Sequence, residues 1–528
     1  MGGYGGQVLH ATRETPRLLA VIDVGSHAVR LVIAEAPGDN SWRVLESFWN
    51  PVTLGNDIFS RGVVRHSSLA TVVTILQQYR EVLSSWKISE PCVVASSTLA
   101  GASNAETCIE RIESATGFRL NLLEPADEAL AILRACLRGE EATRLATGTT
   151  WLLVARSGLT QSVVLKDGVI MLYGAHDDGA LRFSRNFDLP ESDLERVLPF
   201  VLSQPVQSIK SWCGIEQIDR CVAVSEDISG LLDRVRDTTG VSHDLTADKF
   251  GELRKFVLAC PQEEMASRWG LDGNRAVTIR IGLLVIGMLF EQSGAGRIIF
   301  PPIHLTSAVV DALVRTEGGF PDLLRDGFEG EILEGAHAIG RKFKYDEAHA
   351  RECERIAGLL YDQLAQSFQP RERLLVRVAA ILHDIGMYIG SKGHHRYSAE
   401  LVAASDILGL SACEVQEVSW TVRFHRKGLP GGTAIGYKAM DRSARLAVFR
   451  MAAILRLADA LSEPGLPRIE AISIRFGESA AILSVGLEGK RYEFLEIMRV
   501  LLNNKKQYFE HYFGTDLVLE RLRTVDGP

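Results

Sequence analysis

The chain has 528 residues, of which 46% are hydrophobic and 23% charged, and its formal net charge is −8. These values are typical of a soluble protein with several domains, and the acidic balance argues against general binding of nucleic acid or of an anionic membrane. The eight cysteines form no C-x-x-C pair, and no segment has the roughly 18 consecutive apolar residues that a membrane span requires. We therefore expect a cytoplasmic protein with reduced thiols.

The N-terminal part predicts an α/β lobe over residues 17–145, after a flexible, glycine-rich N-terminus at 1–16. Residues 17–36 contain two apolar strands around a tight turn at Gly25-Ser26. Apolar residues at helical spacing follow over 69–83, then a strand at 92–97, a helix over 104–117, a strand at 120–123 and a helix over 125–137.

The pattern restarts near residue 148, with two strands around Ser157-Gly158 and a hairpin turn at 166–168. Because a strand, a glycine turn and a strand occur twice, we predict a second, related lobe over 146–314 that faces the first across a cleft. Residues 315–465 contain successive amphipathic helices and predict an all-α domain. After Pro464 and Pro467, two alternating strands and a helix over 493–513 predict a small α/β tail at 466–528.

The helical domain contains a candidate metal site of the HD type, named for an adjacent histidine–aspartate pair. His349 begins one amphipathic helix, His383 and Asp384 end a mostly apolar helix, and Asp459 ends a third. A charged pair in apolar sequence needs partners, and a divalent cation (Mn, Fe, Ni, Zn or Mg) supplies one. Bound metal would activate water for attack on a phosphoryl group, with Asp384 or a bridging water beginning the attack.

The same domain has further candidates. His394 or His395, together with His425, are candidate ligands of a second ion. The segment GSKGHHRYSAEL alternatively predicts a basic phosphate-contacting loop, in which Lys392 and Arg396, with the later Arg426, favour an anionic substrate. A single histidine is more often a helix cap or a hydrogen-bonded core residue, so the prediction depends on the ordered set.

In the first lobe, the turn at Gly25 and Ser26 offers backbone N–H groups to a phosphate, and Asp23 offers a carboxylate to Mg²⁺ or water. An ordinary hairpin explains this turn equally well.

Several segments together resemble the Ppx/GppA family of exopolyphosphatases and guanosine pentaphosphate phosphohydrolases, over about 17–515. The segments are IDVGSHAVRLVI, ASSTLAGASNAETCIERIESATGFRL, EPADEALAI, NRAVTIRIGLLVIG, LHDIGMYIGSKGHHRYSAEL, FHRKGLP and LRLADAL. The resemblance implies two actin-like (ribonuclease H-like) lobes, a helical HD domain, a homodimer and hydrolysis between the lobes. It implies phosphate contacts for Gly25, Ser26, Arg30 and Arg275, and the place of the catalytic acid for Asp127 or Glu128.

The chain departs from the family pattern in the cleft. Ala100 replaces an arginine, and Ala155 and Ser162 replace the aspartate and glutamate of the second phosphate loop, which also loses two glycines. Such losses commonly cost orders of magnitude in rate, roughly 10²-fold or more each. We therefore predict a metal-dependent phosphohydrolase acting at the HD site on phosphoanhydride or phosphoester bonds of polyphosphate or a guanosine-type nucleotide. The alternatives are an exopolyphosphatase acting in the cleft and an impaired enzyme that senses nucleotide or polyphosphate.

Overall fold

The structure, a computed structural model, describes residues 16–522 except 39, 140–141, 177–178, 181, 183–190, 203–206, 208–210, 212–213, 241, 272, 316–327, 365–367 and 427–434. The flexible N-terminus predicted for 1–16 therefore lies, apart from Pro16, outside the described residues.

The first lobe is built on a five-stranded sheet of spatial order β3-β2-β1-β4-β5. Its strands are β1 (Arg17–Val24), β2 (Ala28–Ala36), β3 (Arg43–Pro51), β4 (Cys92–Ala95) and β5 (Leu120–Leu122). Its helices are α1 (Leu54–Arg61), α2 (His66–Ser85), α3 (Ser97–Ala100), α4 (Ala105–Thr116), α5 (Pro125–Arg138) and α6 (Ala142–Leu145). β1 pairs antiparallel with β2 and parallel with β4, so the two predicted strands around Gly25-Ser26 form the centre of the sheet. The sequence did not reveal β3, because its side chains are half-exposed and lack a continuous apolar run.

The second lobe repeats this plan in a six-stranded sheet of order β10-β11-β9-β6-β7-β8. Its strands are β6 (Thr149–Ala155), β7 (Thr160–Lys166), β8 (Val169–His176), β9 (Arg220–Val224), β10 (Asp244–Thr246) and β11 (Arg297–Ile299). Its helices are α7 (Glu191–Val201), α8 (Glu226–Thr239), α9 (Ala247–Ala259), α10 (Gln262–Trp269) and α11 (Gly273–Ser293). β6, β7 and β8 form an antiparallel meander and β9 lies parallel to β6, as β4 does to β1.

Two helices near the end of this lobe have distinct positions. Within α11, residues 275–293 are long and apolar enough to cross a membrane, but 72% of the segment is buried inside the protein, as in a core helix. The next helix, α12 (Leu305–Arg315), packs against β1, β2 and α5 of the first lobe. The chain therefore returns to the first lobe before the helical domain begins, ahead of the boundary predicted at 314.

The helical domain has seven α-helices among its described residues and one 3₁₀ turn at Ile385–Tyr388. The α-helices are α13 (Glu329–Lys342), α14 (Glu347–Leu364), α15 (Pro370–Leu382), α16 (His394–Ala403), α17 (Ala412–Phe424), α18 (Ile435–Ala439) and α19 (Arg442–Leu461). Helices α14, α15, α17 and α19 pack on one another. Their apolar faces join those of the first lobe and the tail in one continuous core.

The tail forms a three-stranded sheet of order β12-β13-β14, with strands β12 (Ile469–Phe476), β13 (Ala480–Leu487) and β14 (Asp516–Arg521). The helix predicted over 493–513 is two helices, α20 (Leu495–Asn503) and α21 (Gln507–Phe513), separated by a turn. The short strand β14 was not predicted; it pairs parallel with β13.

Candidate metal centre and inter-lobe cleft

Six side chains of the helical domain converge in one group, which we call the cluster: His349, His383, Asp384, His394, His425 and Asp459. They come from five α-helices and the turns that end them, so their meeting depends on how α14, α15, α16, α17 and α19 pack. Three of the histidines are buried.

One half of the cluster contains His349, His383 and Asp459. His349 Nε2 lies 3.3 Å from His383 Nε2, and each of these nitrogens lies 3.7 Å from Asp459 Oδ1. Asp384 Oδ2 lies 3.6 Å from His383 Nε2 and adds a second carboxylate.

The other half contains His394 and His425, whose Nε2 atoms are 3.3 Å apart. Asp384 Oδ1 lies 3.1 Å from His394 Nε2 and 3.7 Å from His425 Nε2. Asp384 thus directs one carboxylate oxygen to each half, so it belongs to both groups of possible metal ligands.

Backbone carbonyl groups orient the imidazole rings. The Nδ1 atoms of His349, His383 and His425 lie 3.1, 2.8 and 2.7 Å from the carbonyl oxygens of Ser462, Ala380 and Val422. If each Nδ1–H donates to its carbonyl, each neutral ring presents the lone pair of Nε2 to the cluster. Metal-ligating histidines almost always have such an outer hydrogen bond.

The distance between His349 and His383 indicates whether a cation fits between their rings. With both Nδ1–H groups donated outward, two Nε2 lone pairs face each other at 3.3 Å, and only a proton or a metal ion between them relieves the repulsion. Burial disfavours a charged ring, but the carboxylates of Asp384 and Asp459 outweigh it and raise the pKa of His383 to about 9. The site therefore attracts a cation, and its imidazole and carboxylate donors suit a divalent transition metal.

A second sign of fit is Asp384 Oδ1, which is buried and accepts no hydrogen bond of good geometry among the described residues. Burial and the charge of His383 lower the pKa of His425 to about 3, so this ring is neutral and able to ligate at physiological pH. The donors present fit a divalent metal ion in both halves.

The remaining predicted residues of this domain lie around the cluster. The His395 ring lies 5.9 Å from that of His394 and 6.3 Å from that of His425, but its nitrogens do not join the ligand group. Of the two histidines proposed for the second ion, the structure thus places His394 in position. Lys392 and Arg396 are exposed, and Arg426 Nη1 lies 3.1 Å from His394 Nδ1.

The sequence pointed to no role for Lys505. It lies in the turn between α20 and α21, and its ammonium group donates to Asp459 Oδ2. The only sequence signal is the basic pair Lys505-Lys506 between two apolar helical stretches, and such pairs are usually exposed to solvent.

The inter-lobe cleft is lined by the two predicted phosphate loops, including Gly25, Ser26, Arg30 and Glu128. Its charged groups are paired with one another across the lobes. Arg30 donates to Glu226 at 2.5 Å, and His27 lies 3.7 Å from Asp227. The carboxylates of the second lobe therefore lie where an anionic ligand would meet Arg30.

Glu226 and Asp227 are the first residues of α8. Arg275 donates to Asp227 at 3.2 Å instead of pointing to a free phosphate site. Burial opposes ionisation of Asp227, but His27 and Arg275 outweigh it and hold the pKa of this carboxyl well below its usual range. A helix N-terminus that would favour phosphate thus already carries two ionised carboxylates.

Arg156 supplies the opposite charge. Its Nε lies 3.2 Å from Glu128 and its Nη2 lies 3.6 Å from Asp23, and both carboxylates are almost fully buried. Burial raises the pKa of Glu128, and the Arg156 guanidinium partly offsets this effect. The guanidinium occupies the position between these acids in which a metal ion would neutralise them, so the predicted ligand Asp23 faces an arginine.

The other candidate acid, Asp127, has a local role. It forms a capping box with Glu124 at the start of α5, where its carboxylate accepts from the Glu124 backbone N–H at 3.3 Å. Asp127 does not line the cleft, so of the two acids only Glu128 fits the predicted position of a general base.

The second predicted phosphate loop, around Ser157 and Gly158, packs tightly against the first lobe. A Cβ at Gly158 would lie 2.7 Å from Thr98 Oγ1 and 2.9 Å from Phe59, both in the first lobe. The absence of a side chain at Gly158 therefore allows the two lobes to approach each other closely at this point.

Comparison with known proteins identifies two matching family models. The model described as Ppx/GppA phosphatase family matches residues 32–149, and the one described as Ppx/GppA phosphatase, domain III, matches 334–490.

Two curated relatives are guanosine-5'-triphosphate,3'-diphosphate pyrophosphatases. The protein of Aliivibrio fischeri is 23% identical over 488 residues, which cover 90% of this chain and 92% of the relative. The protein of Vibrio campbellii is 23% identical over 482 residues, which cover 86% and 88%.

Among solved structures, an exopolyphosphatase from Cytophaga hutchinsonii has a TM-score of 0.51 at 17% identity, covering 56% of this chain and 98% of that chain. This likeness concerns the fold and agrees with the predicted pair of actin-like lobes.

Proposed function

Because the chain belongs to the Ppx/GppA phosphatase family, we propose that it is a phosphohydrolase whose active centre is the histidine–aspartate cluster of the helical domain. Its substrate class is a phosphoanhydride- or phosphoester-containing polyanion, either polyphosphate or a guanosine-type nucleotide. The observation that carries the proposal is the convergence of four imidazoles and the Asp459 carboxylate around Asp384, which directs one carboxylate oxygen to each half of the cluster.

The residues have distinct roles in this proposal. His349, His383, Asp384 and Asp459 would hold one divalent ion, and Asp384, His394 and His425 would hold a second. A bound ion supplies Lewis-acid polarisation of a phosphoryl oxygen and lowers the pKa of bound water. In this proposal Asp384 would accept the proton that such a water gives up.

Surface cations near the cluster support an anionic substrate. Lys392 and Arg396 are exposed at the N-terminal end of α16, beside the buried His394. Arg426 follows His425 directly and contacts His394. Basic groups around a metal centre attract phosphate oxygens by charge-assisted hydrogen bonds. These cations form a local basic surface on a chain whose net charge is −8.

Hydrolysis in the inter-lobe cleft is the second candidate, and Glu128 is the observation in its favour. Glu128 is buried with a raised pKa, as expected of a general base, and it lines the cleft. Against this role, its carboxylate is paired with Arg156 and accepts from the Ser97 backbone N–H at 3.3 Å.

Elemental analysis of the purified protein tests the proposal most directly. We expect about one to two transition-metal ions per chain, since each half of the cluster offers at least three donors. Removal of the metal by a chelator should abolish phosphate release and lower the melting temperature, and adding the same metal should restore both. Full activity in metal-free protein would exclude the proposed centre.

Glu128→Gln separates the two candidate centres. We expect phosphate release from polyphosphate or guanosine tetraphosphate to stay within about twofold of the wild-type rate, because the cleft is not the site of reaction. Asp127→Asn is the matched control, since Asp127 neighbours Glu128 but caps its own helix. If Glu128→Gln alone abolishes phosphate release while its melting curve matches that of the control, the cleft is the active site.

A further inference from the structure

The cluster is not built by the helical domain alone, because the tail contributes a cation to it. Lys505 lies outside α19, in the tail turn, and donates to Asp459 Oδ2. The other oxygen, Asp459 Oδ1, lies 3.7 Å from the Nε2 atoms of both His349 and His383. The two carboxylate oxygens therefore have separate partners.

Buried contacts fix the Lys505 backbone. Its N–H donates to the carbonyl of Leu502 at 2.8 Å, and its own carbonyl accepts from Arg456 Nε at 3.1 Å. Arg456 is only 4% exposed and lies over the ring of Tyr508, 4.5 Å from its centroid.

Arg456 also connects this turn to the second half of the cluster. Its Nη1 donates to the carbonyl of Phe424 at 3.4 Å, and Phe424 directly precedes His425. Arg456 lies one helical turn before Asp459 on α19. The position of Lys505 is thus set by the same helix that presents Asp459.

A carboxylate held on one oxygen by a charged donor loses much of its rotational freedom. The ammonium of Lys505 leaves Oδ1 as the oxygen that faces the histidines, and it offsets the repulsion between Asp459 and Asp384. Outer partners of metal ligands typically contribute about 10–100-fold to metal affinity.

From this geometry we propose that Lys505 is a positioning residue of the metal centre, which acts by orienting Asp459. The inference rests on the proposed function, since it concerns the same cluster. It also assigns the tail a part in the centre: the tail supplies one of the groups that organise the metal ligands.

The test is titration of metal-free protein with Mn²⁺ or Zn²⁺, followed calorimetrically, for wild type, Lys505→Met and Lys505→Arg. We expect the dissociation constant of Lys505→Met to rise about 10–100-fold. Lys505→Arg should recover part of the affinity, because the charge returns without the same geometry.

Lys506→Met is the matched control. Lys506 neighbours Lys505 and has the same 22% side-chain exposure, but it donates to the carbonyl of Leu517 at 3.0 Å and pairs with Glu510 at 2.8 Å. The metal affinity of Lys506→Met should equal that of wild type.

Melting curves of the metal-free proteins distinguish positioning from folding. If Lys505 positions Asp459, Lys505→Met should lose more metal affinity than its change in stability explains, and Lys505→Arg should recover part of that affinity.

Metal binding by Lys505→Met that is equal to or tighter than that of wild type overturns the inference while the proposed centre stands. Should Lys505→Met not fold, metal affinities of Lys505→Arg and Lys505→Gln that both equal the wild-type affinity overturn the inference instead. Wild-type protein that binds no metal overturns the proposed centre itself, and this inference with it.

Discussion

Replacing His383 and Asp384 together by alanine is expected to remove the bound metal and to reduce phosphate release by at least about 10²-fold. The physical reason is that Asp384 directs one oxygen to each half of the cluster, and His383 is a fully buried member of one half. Both halves therefore lose a ligand at once. Metal content and the rate of phosphate release, measured on the same preparation, check this result.

His337→Gln is the control for this variant. His337 is another buried histidine of the helical domain, but its Nδ1 contacts Tyr345 Oη at 2.6 Å and its Nε2 lies 3.9 Å from Glu354, away from the cluster. The control should keep its metal and its activity. If the double variant retains both, the assignment of the centre to the helical domain is wrong.

Replacing Arg156 by alanine is expected to lower the free energy of unfolding by about 3–5 kcal/mol, the cost typical of removing one partner of a buried ion pair. The loss leaves Glu128, which is 1% exposed, without its guanidinium partner, and it leaves the equally buried Asp23 with Arg30 Nη1 at 3.4 Å. Urea unfolding followed by tryptophan fluorescence measures the change, since Trp151 lies in β6 beside this loop.

The control for Arg156 is Arg43→Ala. Arg43 pairs with Glu35 at 2.7 Å but its side chain is 72% exposed, so its loss should cost about 0–1 kcal/mol. Arg156→Ala with a cost no larger than this would mean that the cleft admits water or a cation that replaces the guanidinium.

The loss of unfolding free energy in Arg156→Ala should also depend on pH. Burial already raises the pKa of Glu128 in the folded protein, and removing Arg156 raises it further. A carboxyl with a raised folded pKa binds protons more readily when folded than when unfolded, so the free energy of unfolding falls as pH rises through this range. The variant should thus lose more stability, relative to wild type, at pH 8 than at pH 5.

The sequence alone determined the elements whose apolar residues repeat regularly. The two strands around Gly25-Ser26, their repeat around Ser157-Gly158 and the helix ending at Gly117 follow from local patterns. The strand β3 lacks such a pattern because its side chains are half-exposed, and β14 depends on parallel pairing with β13, which is distant in sequence.

The sequence also determined which side chains are candidate metal ligands, since histidine and aspartate in apolar helices require partners wherever they meet. Only the tertiary structure decided how they meet. It brings Asp384 between two pairs of histidines, it selects His394 over its neighbour His395, and it brings Lys505 to Asp459 from 46 residues away. These outcomes depend on the packing of helices that no local pattern encodes.

The cleft shows the same division. The resemblance to the family shows substitutions such as Ala155 and implies that a metal or water ligand of the cleft is lost. That Arg156 takes the place of a cation, and Glu226 and Asp227 that of an anion, follows only from the approach of the two lobes. Charge pairing between distant segments is a property of the assembled fold, because it arises when burial forces each ionised group to find a partner.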